Sequence, residues 1–221
     1  MQSARSWTQL SDYSEHFFEF YLFVSPLGYK CYQAEQALLD IIQTLSAKTE
    51  LHILCYHNHT VVSRFLNQLS HLPQDLETRN RVFQLVYDAC LAYKAASLQG
   101  KRKAREFLLS MQREIAGNVE RFTTDYALDL AQRIGLDVPL FETDWRSDYV
   151  RKLYLKDQQI AHDMNAQTIP SLVAFEHSVN TDGVLLTDAI TCETILEQLS
   201  DVVSHCPQKS NSLFKLICKQ S

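Results

Sequence analysis

Six cysteines, Cys31, Cys55, Cys90, Cys192, Cys206 and Cys218, are the side chains of this chain best suited to bond chemistry. Thiol–disulfide exchange needs an attacking thiolate with a resolving thiol beside it, and no two of the six stand as a Cys-x-x-Cys pair. Cys31 is the exception to their scatter in one respect. It falls in the first turn of an expected helix, directly after the turn Ser25-Pro26-Leu27-Gly28. A helix N-terminus offers unpaired N–H groups and a positive dipole end, and both favour thiolate over thiol. Cys31 is therefore the one candidate catalytic residue, framed by the loop Ser25, Pro26, Leu27 and Gly28. A thiol so placed can form a mixed disulfide, but no cysteine three residues away can resolve it. The plainer reading is a half-buried thiol that packs against the preceding strand.

Three further groups invite a chemical reading. Cys55-Tyr56-His57-Asn58-His59, with His52 nearby, holds zinc-type donors. Alternation would bring Cys55, His57 and His59 to one side only if the strand continued, and a fourth ligand is not evident, so no metal site is expected. Lys101-Arg102-Lys103-Ala104-Arg105 is the basic run of the chain. At a helix start it opposes the dipole. It reads first as a solvated face next to Glu106 and second as a docking patch for an acidic partner. Thr168-Ile169-Pro170 precedes an apolar run, and a proline there shapes the entry to a strand, in the cis or the trans form.

The elements that must carry these residues follow from hydrophobic periodicity. Phe17 to Val24 is almost unbroken apolar sequence, interrupted only by Glu19, and predicts a strand over 16–24 buried on both faces. A helix is expected from Tyr29 to Ala47, with Ala34, Ala37, Leu38, Ile41, Ile42 and Leu45 at helical spacing and Lys48-Thr49-Glu50 closing it. Leu51 to Tyr56 predicts a second strand. Strand, long helix, strand is a βαβ unit, so the two strands should run parallel with a right-handed crossover.

From Pro73 to about Asn165 the pattern is helical. Val82, Val86, Ala89 and Tyr93 form one stripe; Ala104, Leu108, Met111 and Ile115 a second; Ala127, Leu130 and Ile134 a third, stopped by Gly135 as a C-cap. Trp145, Tyr149, Leu153, Ile160 and Met164 predict one last long helix. These stripes read as core faces of a bundle. Leu172 to Phe175 and Val184 to Leu186 then read as a hairpin, and Thr191 to Leu199 as a final helix with Thr191 at its N-cap. The order β-α-β, helical block, β-β-α is an α/β architecture: a thioredoxin fold with an inserted all-helical domain. The expected divisions are an N-terminal arm at 1–15, a thioredoxin-like domain from 16–72 and 166–205, the helical insert at 73–165 and a tail at 206–221.

Composition narrows the function classes. The chain of 221 residues is 46% hydrophobic and 21% charged, as in globular proteins, with a formal net charge of -5. That charge argues against a non-specific nucleic-acid binder. No run is long and apolar enough to span a bilayer. The N-terminal stretch has no apolar h-region, and the scattered cysteines do not form a disulfide framework, so the expected location is the cytoplasm.

On the turn at 25–31, the Thr168-Ile169-Pro170 segment and the helical block between them, the chain resembles the DsbA-like branch of the thioredoxin superfamily over roughly residues 16–200. Ser25-Pro26-Leu27-Gly28-Tyr29-Lys30-Cys31 is most similar to the YjbH/SpxH group, in which an aspartate-proline-leucine turn runs into a Cys-x-x-Cys or a degraded form of it. The resemblance implies a cytosolic adaptor that binds the regulator Spx and promotes its degradation by ClpXP. It implies no cofactor, no nucleic acid and no membrane. It also marks Thr168, Ile169 and Pro170 as a cis-proline loop whose backbone edge, in redox relatives, pairs with an extended substrate. The departure from the pattern lies at Gly28, where the family's attacking cysteine would stand, and Ser25 replaces the common aspartate. A dithiol-disulfide isomerase or thiol-disulfide oxidoreductase, or a kappa-class-like glutathione transferase, is the alternative. Those transferases carry a serine where this chain has Gly28. The balance favours a non-catalytic adaptor.

Overall fold

The computed structural model describes residues 16–69, 71–178, 182–187 and 189–204, with side chains as far as residue 199. The arm expected at 1–15 and the tail expected at 206–221 lie outside the described residues. The elements run β1 (Phe17–Val24), α1 (Tyr29–Thr44), β2 (Lys48–Cys55), α2 (His59–Gln68), α3 (Leu76–Leu98), α4 (Lys101–Ile115), a 3-10 turn (Val119–Arg121), α5 (Thr124–Ile134), α6 (Val138–Trp145), α7 (Asp148–Asp163), β3 (Ser171–Glu176), β4 (Val184–Thr187) and α8 (Cys192–Ser204). No helix of the described residues is long and apolar enough to cross a membrane.

The chain packs as two compact units. One comprises Gln33–Ile53 with the described parts of 1–22 and 171–221; the other comprises Phe23–Tyr32 and Leu54–Pro170. The four strands form one sheet in the order β2-β1-β3-β4. The Lys48 N–H donates to the His16 carbonyl and the Tyr56 N–H to the Val24 carbonyl. Equal steps in the same direction along both strands make β1 and β2 parallel, as a βαβ unit requires. β3 and β4 form the expected antiparallel hairpin, pairing Ser171 with Thr187 and Ala174 with Val184. Gly183 enters that hairpin because a Cβ there would lie 2.4 Å from the Phe175 ring.

β1 departs from the expectation of two buried faces. Phe18, Phe20 and Leu22 are buried, but Phe17, Glu19 and Tyr21 are only half-buried. The cause is a polar cluster on the second face. Glu19 accepts from the Tyr21 hydroxyl at 2.8 Å and pairs with His52 at 3.0 Å and His177 at 2.9 Å. Burial pushes the Glu19 carboxyl up, but these hydrogen bonds and the His52 charge hold it below the ordinary carboxylate value. Only Leu22-Phe23-Val24 at the end of the strand is buried on both sides.

In the helical region the first two stripes are buried throughout, while the third keeps Ala127 and Leu130 inside and leaves Ile134 half-buried. Gly135 ends α5 in the left-handed region at φ 77°, where glycine carries no steric cost. Lys48-Thr49-Glu50 does not close α1; it opens β2. The segment after β2 forms α2, which the sequence reading left out. Its start is fixed by Asn58, whose side chain accepts from the Val61 N–H at 2.7 Å. The single long helix expected up to Met164 is two helices. Ser147 caps α7 by accepting from the Val150 N–H. The buried face of α7 is Val150, Tyr154, Asp157 and Ala161, so Tyr149 is exposed. At α8, Thr191 and Thr194 cap reciprocally: each hydroxyl accepts from the other's N–H, at 3.2 and 3.0 Å.

Candidate functional site

The turn between β1 and α1 is short and internally bonded. The Gly28 N–H donates to the Ser25 carbonyl at 3.2 Å, and the Gly28 carbonyl accepts from Cys31 and Tyr32 at 3.1 and 3.2 Å. Gly28 thus stands at the start of α1 as its cap residue and does not adopt a positive φ. Ser25, Pro26, Leu27, Gly28 and Cys31 are all buried. The Ser25 N–H donates to the Cys31 Sγ at 3.2 Å, and the Leu27 N–H donates to the Ser25 Oγ at 3.4 Å. Gln112 of α4, itself fully buried, donates from Nε2 to the Ser25 carbonyl at 3.1 Å. The helical segment therefore takes part in shaping the turn.

Cys31 sits in the first turn of α1 with the Ser25 amide aimed at its sulfur. Hydrogen bonds of that kind favour the charged form of a thiol. Its 3% exposure denies most partners access to it. A Cβ built at Gly28 would lie 3.2 Å from the Cys31 Sγ, so the direction that a side chain would take at position 28 leads to the sulfur. Farther along, Ile169–Pro170 is a cis peptide bond. Thr168 and Ile169 are half-buried and Pro170 is buried.

The donors Cys55, His57 and His59 do not converge as a set. His59 is exposed at the start of α2 and stacks on Phe83 with ring centroids 4.5 Å apart. Among the described residues, the ligand atoms that do converge belong to Glu19, Glu50 and His52, where the histidine already pairs with both carboxylates. In the basic run, Lys103 donates to the Gly135 carbonyl at the end of α5. A cation placed there complements the helix dipole.

Cys55 and His57 enter a different, buried arrangement that local sequence did not announce. Cys55 ends β2 and Cys90 lies in the middle of α3, and both thiols are buried. The His57 Nδ1 is 2.5 Å from the Tyr154 hydroxyl, and its Nε2 is buried without a conventional hydrogen bond. Phe83 and Tyr87 flank the imidazole at centroid distances of 4.5 and 5.8 Å. Gln158 holds the strand end from both sides: its Nε2 donates to the Cys55 carbonyl at 2.8 Å and its Oε1 accepts from the His57 N–H at 3.3 Å. Asp157 pairs with Lys94, one turn beyond Cys90. Burial and the neighbouring Cys90 push the Cys55 thiol well above its ordinary value. At Cys90 burial also opposes ionisation, but the neighbouring Cys55 and His57 outweigh it and hold that thiol below its ordinary value.

Comparison with known proteins agrees with this architecture. A family model described as Thioredoxin matches residues 21–197. The ClpXP adapter protein SpxH of Bacillus licheniformis is 25% identical over 209 residues, covering 88% of this chain and 70% of that protein. Two crystal structures share the fold. One, from Nitrosomonas europaea and provisionally described as a protein disulfide isomerase, superposes with a TM-score of 0.62 at 16% identity, over 86% of this chain and 98% of its own. Pseudomonas aeruginosa DsbA superposes with a TM-score of 0.55 at 10% identity, over 85% and 83%. The chain belongs to the thioredoxin family, shares its fold with Pseudomonas aeruginosa DsbA with a helical block inserted in it, and resembles SpxH.

Proposed function

We propose that the protein is a cytoplasmic adaptor that holds an Spx-like regulator and promotes its degradation by ClpXP, without dithiol catalysis. The observation that carries this reading is Gly28. A glycine stands where exchange chemistry needs the attacking sulfur, and the remaining Cys31 is buried in the turn. A thiol with no partner in its motif cannot release a mixed disulfide by the usual resolving step. The likeness to SpxH, a protein named as a ClpXP adapter, supports the choice of partner. In this role the rigid turn and the sheet give a fixed surface, and equilibrium binding presents the partner to the protease.

The test has two parts. Insulin reduction by the purified chain should stay at background. A pull-down with an Spx-like regulator should succeed and should survive Cys31→Ala. Turnover above background that disappears in Cys31→Ala would replace the adaptor with a thiol-disulfide oxidoreductase.

A further inference from the structure

We propose that Glu19, Glu50 and His52 form a binding site for a divalent transition-metal ion of the zinc class. The three side chains come from neighbouring strands of one compact unit, Glu19 from β1 and Glu50 and His52 from β2. Residues two apart on a strand share a face, so Glu50 and His52 stand side by side next to Glu19. Their ligand atoms, two carboxylate oxygens and one imidazole nitrogen, all lie within 4.8 Å of one another.

The spacing matches what such an ion demands. Zinc–nitrogen and zinc–oxygen bonds of about 2.0–2.2 Å set tetrahedral donors roughly 3.3–3.6 Å apart. His52 Nε2 lies 3.0 Å from Glu19 Oε1 and 3.6 Å from Glu50 Oε1. A ring nitrogen carries at most one proton to share between two carboxylates, whereas a cation between the three atoms serves all of them. Two carboxylates and a neutral imidazole also cancel the charge of a divalent ion. Imidazole among the donors favours zinc over magnesium and calcium, which take oxygen ligands.

The neighbours hold the donors in place. The Tyr21 ring stacks on the His52 imidazole with centroids 4.6 Å apart and planes at 17°, which fixes the direction of Nε2. The Tyr21 hydroxyl donates to Glu19 Oε1 at 2.8 Å, and His177 Nε2 meets Glu19 Oε2 at 2.9 Å. Outer hydrogen bonds of this kind orient a ligating carboxylate and sharpen its affinity for metal. Glu19, Glu50 and His52 are half-buried, so an ion reaches them from solvent and water completes the fourth position. The bound ion ties β1 to β2 from the side chains as well as through the sheet.

The experiment titrates the metal-free full-length chain with Zn²⁺ by calorimetry in the presence of millimolar Mg²⁺. The expected result is saturable binding of one ion per chain, lost in both His52→Gln and Glu50→Gln. Tyr21→Phe should weaken it roughly 10–100-fold, the usual effect of removing an orienting partner. Binding should also weaken as the pH is lowered, because protons compete for the imidazole and the carboxylates. Co²⁺ in place of zinc should give d–d absorption bands without a sulfur-to-cobalt charge-transfer band. No saturable uptake would overturn the proposal, as would uptake that both variants retain or that Mg²⁺ abolishes. A charge-transfer band on cobalt would also overturn it, since the ion would then sit on cysteines. The calorimetric and cobalt measurements on the unmodified chain need no variant, so poor folding of a mutant cannot protect the idea.

Discussion

The neighbourhoods of Cys31 and His57 are built in opposite ways. Cys31 has the position that thiol catalysis prefers, at the head of a helix with an amide aimed at its sulfur, but its motif supplies no second sulfur. His57 lies between β2 and α2 with no helix end to help it, yet the Tyr154 hydroxyl and the rings of Phe83 and Tyr87 stand against its imidazole. The contrast teaches that placement on an element and provision of a reaction partner are separable. At the turn the scaffold is kept and the partner is lost. In the pocket the partner is assembled from residues that no local motif connects.

The largest test of that separation restores what the turn lacks. Gly28→Cys should raise insulin reduction by an order of magnitude or more over the unmodified chain, because the activating helix end is already in place and only the attacking sulfur is missing. The close approach of a Cβ at 28 to the Cys31 Sγ suits disulfide geometry. An unchanged background rate would mean that the turn itself is not competent.

Next in size is the buried pair beside the pocket. Lys94→Ala leaves the Asp157 carboxylate, 6% exposed, without its cation. The expected loss is about 3–5 kcal/mol in urea denaturation. Asp157→Asn combined with Lys94→Met should be much milder. Equal losses in the single and double variants would show that the pair does not act as a unit.

A smaller effect is expected at the turn. Gln112→Leu removes one of two donors to the Ser25 carbonyl and should cost about 1 kcal/mol by the same measurement. An unchanged denaturation midpoint would assign the amide no share in holding the turn.

The smallest effect is a pH dependence away from both sites. A hydrogen bond from Arg133 holds the Glu114 carboxyl below its ordinary value, against the opposing effect of burial. A lowered acid contributes stability above the unfolded value of about 4.3 and loses it as pH falls through the folded one. Arg133→Met should flatten the acid limb of a stability-against-pH curve by at most about 1 kcal/mol, since the arginine is 46% exposed. An unaltered limb would assign no energy to the pair.

Much of the scaffold was legible in the residues. The dense run of β1, the turn, the periodicity of α1, α3, α4 and α5 and the Asp182-Gly183 hairpin all follow from local pattern. The errors have local causes too. α2 was passed over although Asn58 as a cap and Val61, Val62 and Leu66 at helical spacing announce it. The face of α7 was read one residue out, because the apolar Tyr149 and Leu153 outweighed a buried stripe that contains Asp157. The second face of β1 was misjudged because the partners of Glu19 arrive from elsewhere in the chain, His52 from β2 and His177 from just past β3. The meeting of Cys55, His57, Tyr154 and Gln158 was out of reach for the same reason. Periodicity reports which side of an element is inward, not which inward side chains will touch.

Gln158 joins α7 to the end of β2. One amide group grips the peptide on either side of Tyr56, so the two bonds are made or broken by a single side chain. A slight roll of α7 would release both together and free the strand end and the imidazole in one event. The pocket should therefore loosen as an all-or-none latch rather than by gradual fraying, and the amide hydrogen of His57 should exchange with solvent on that latch's own clock.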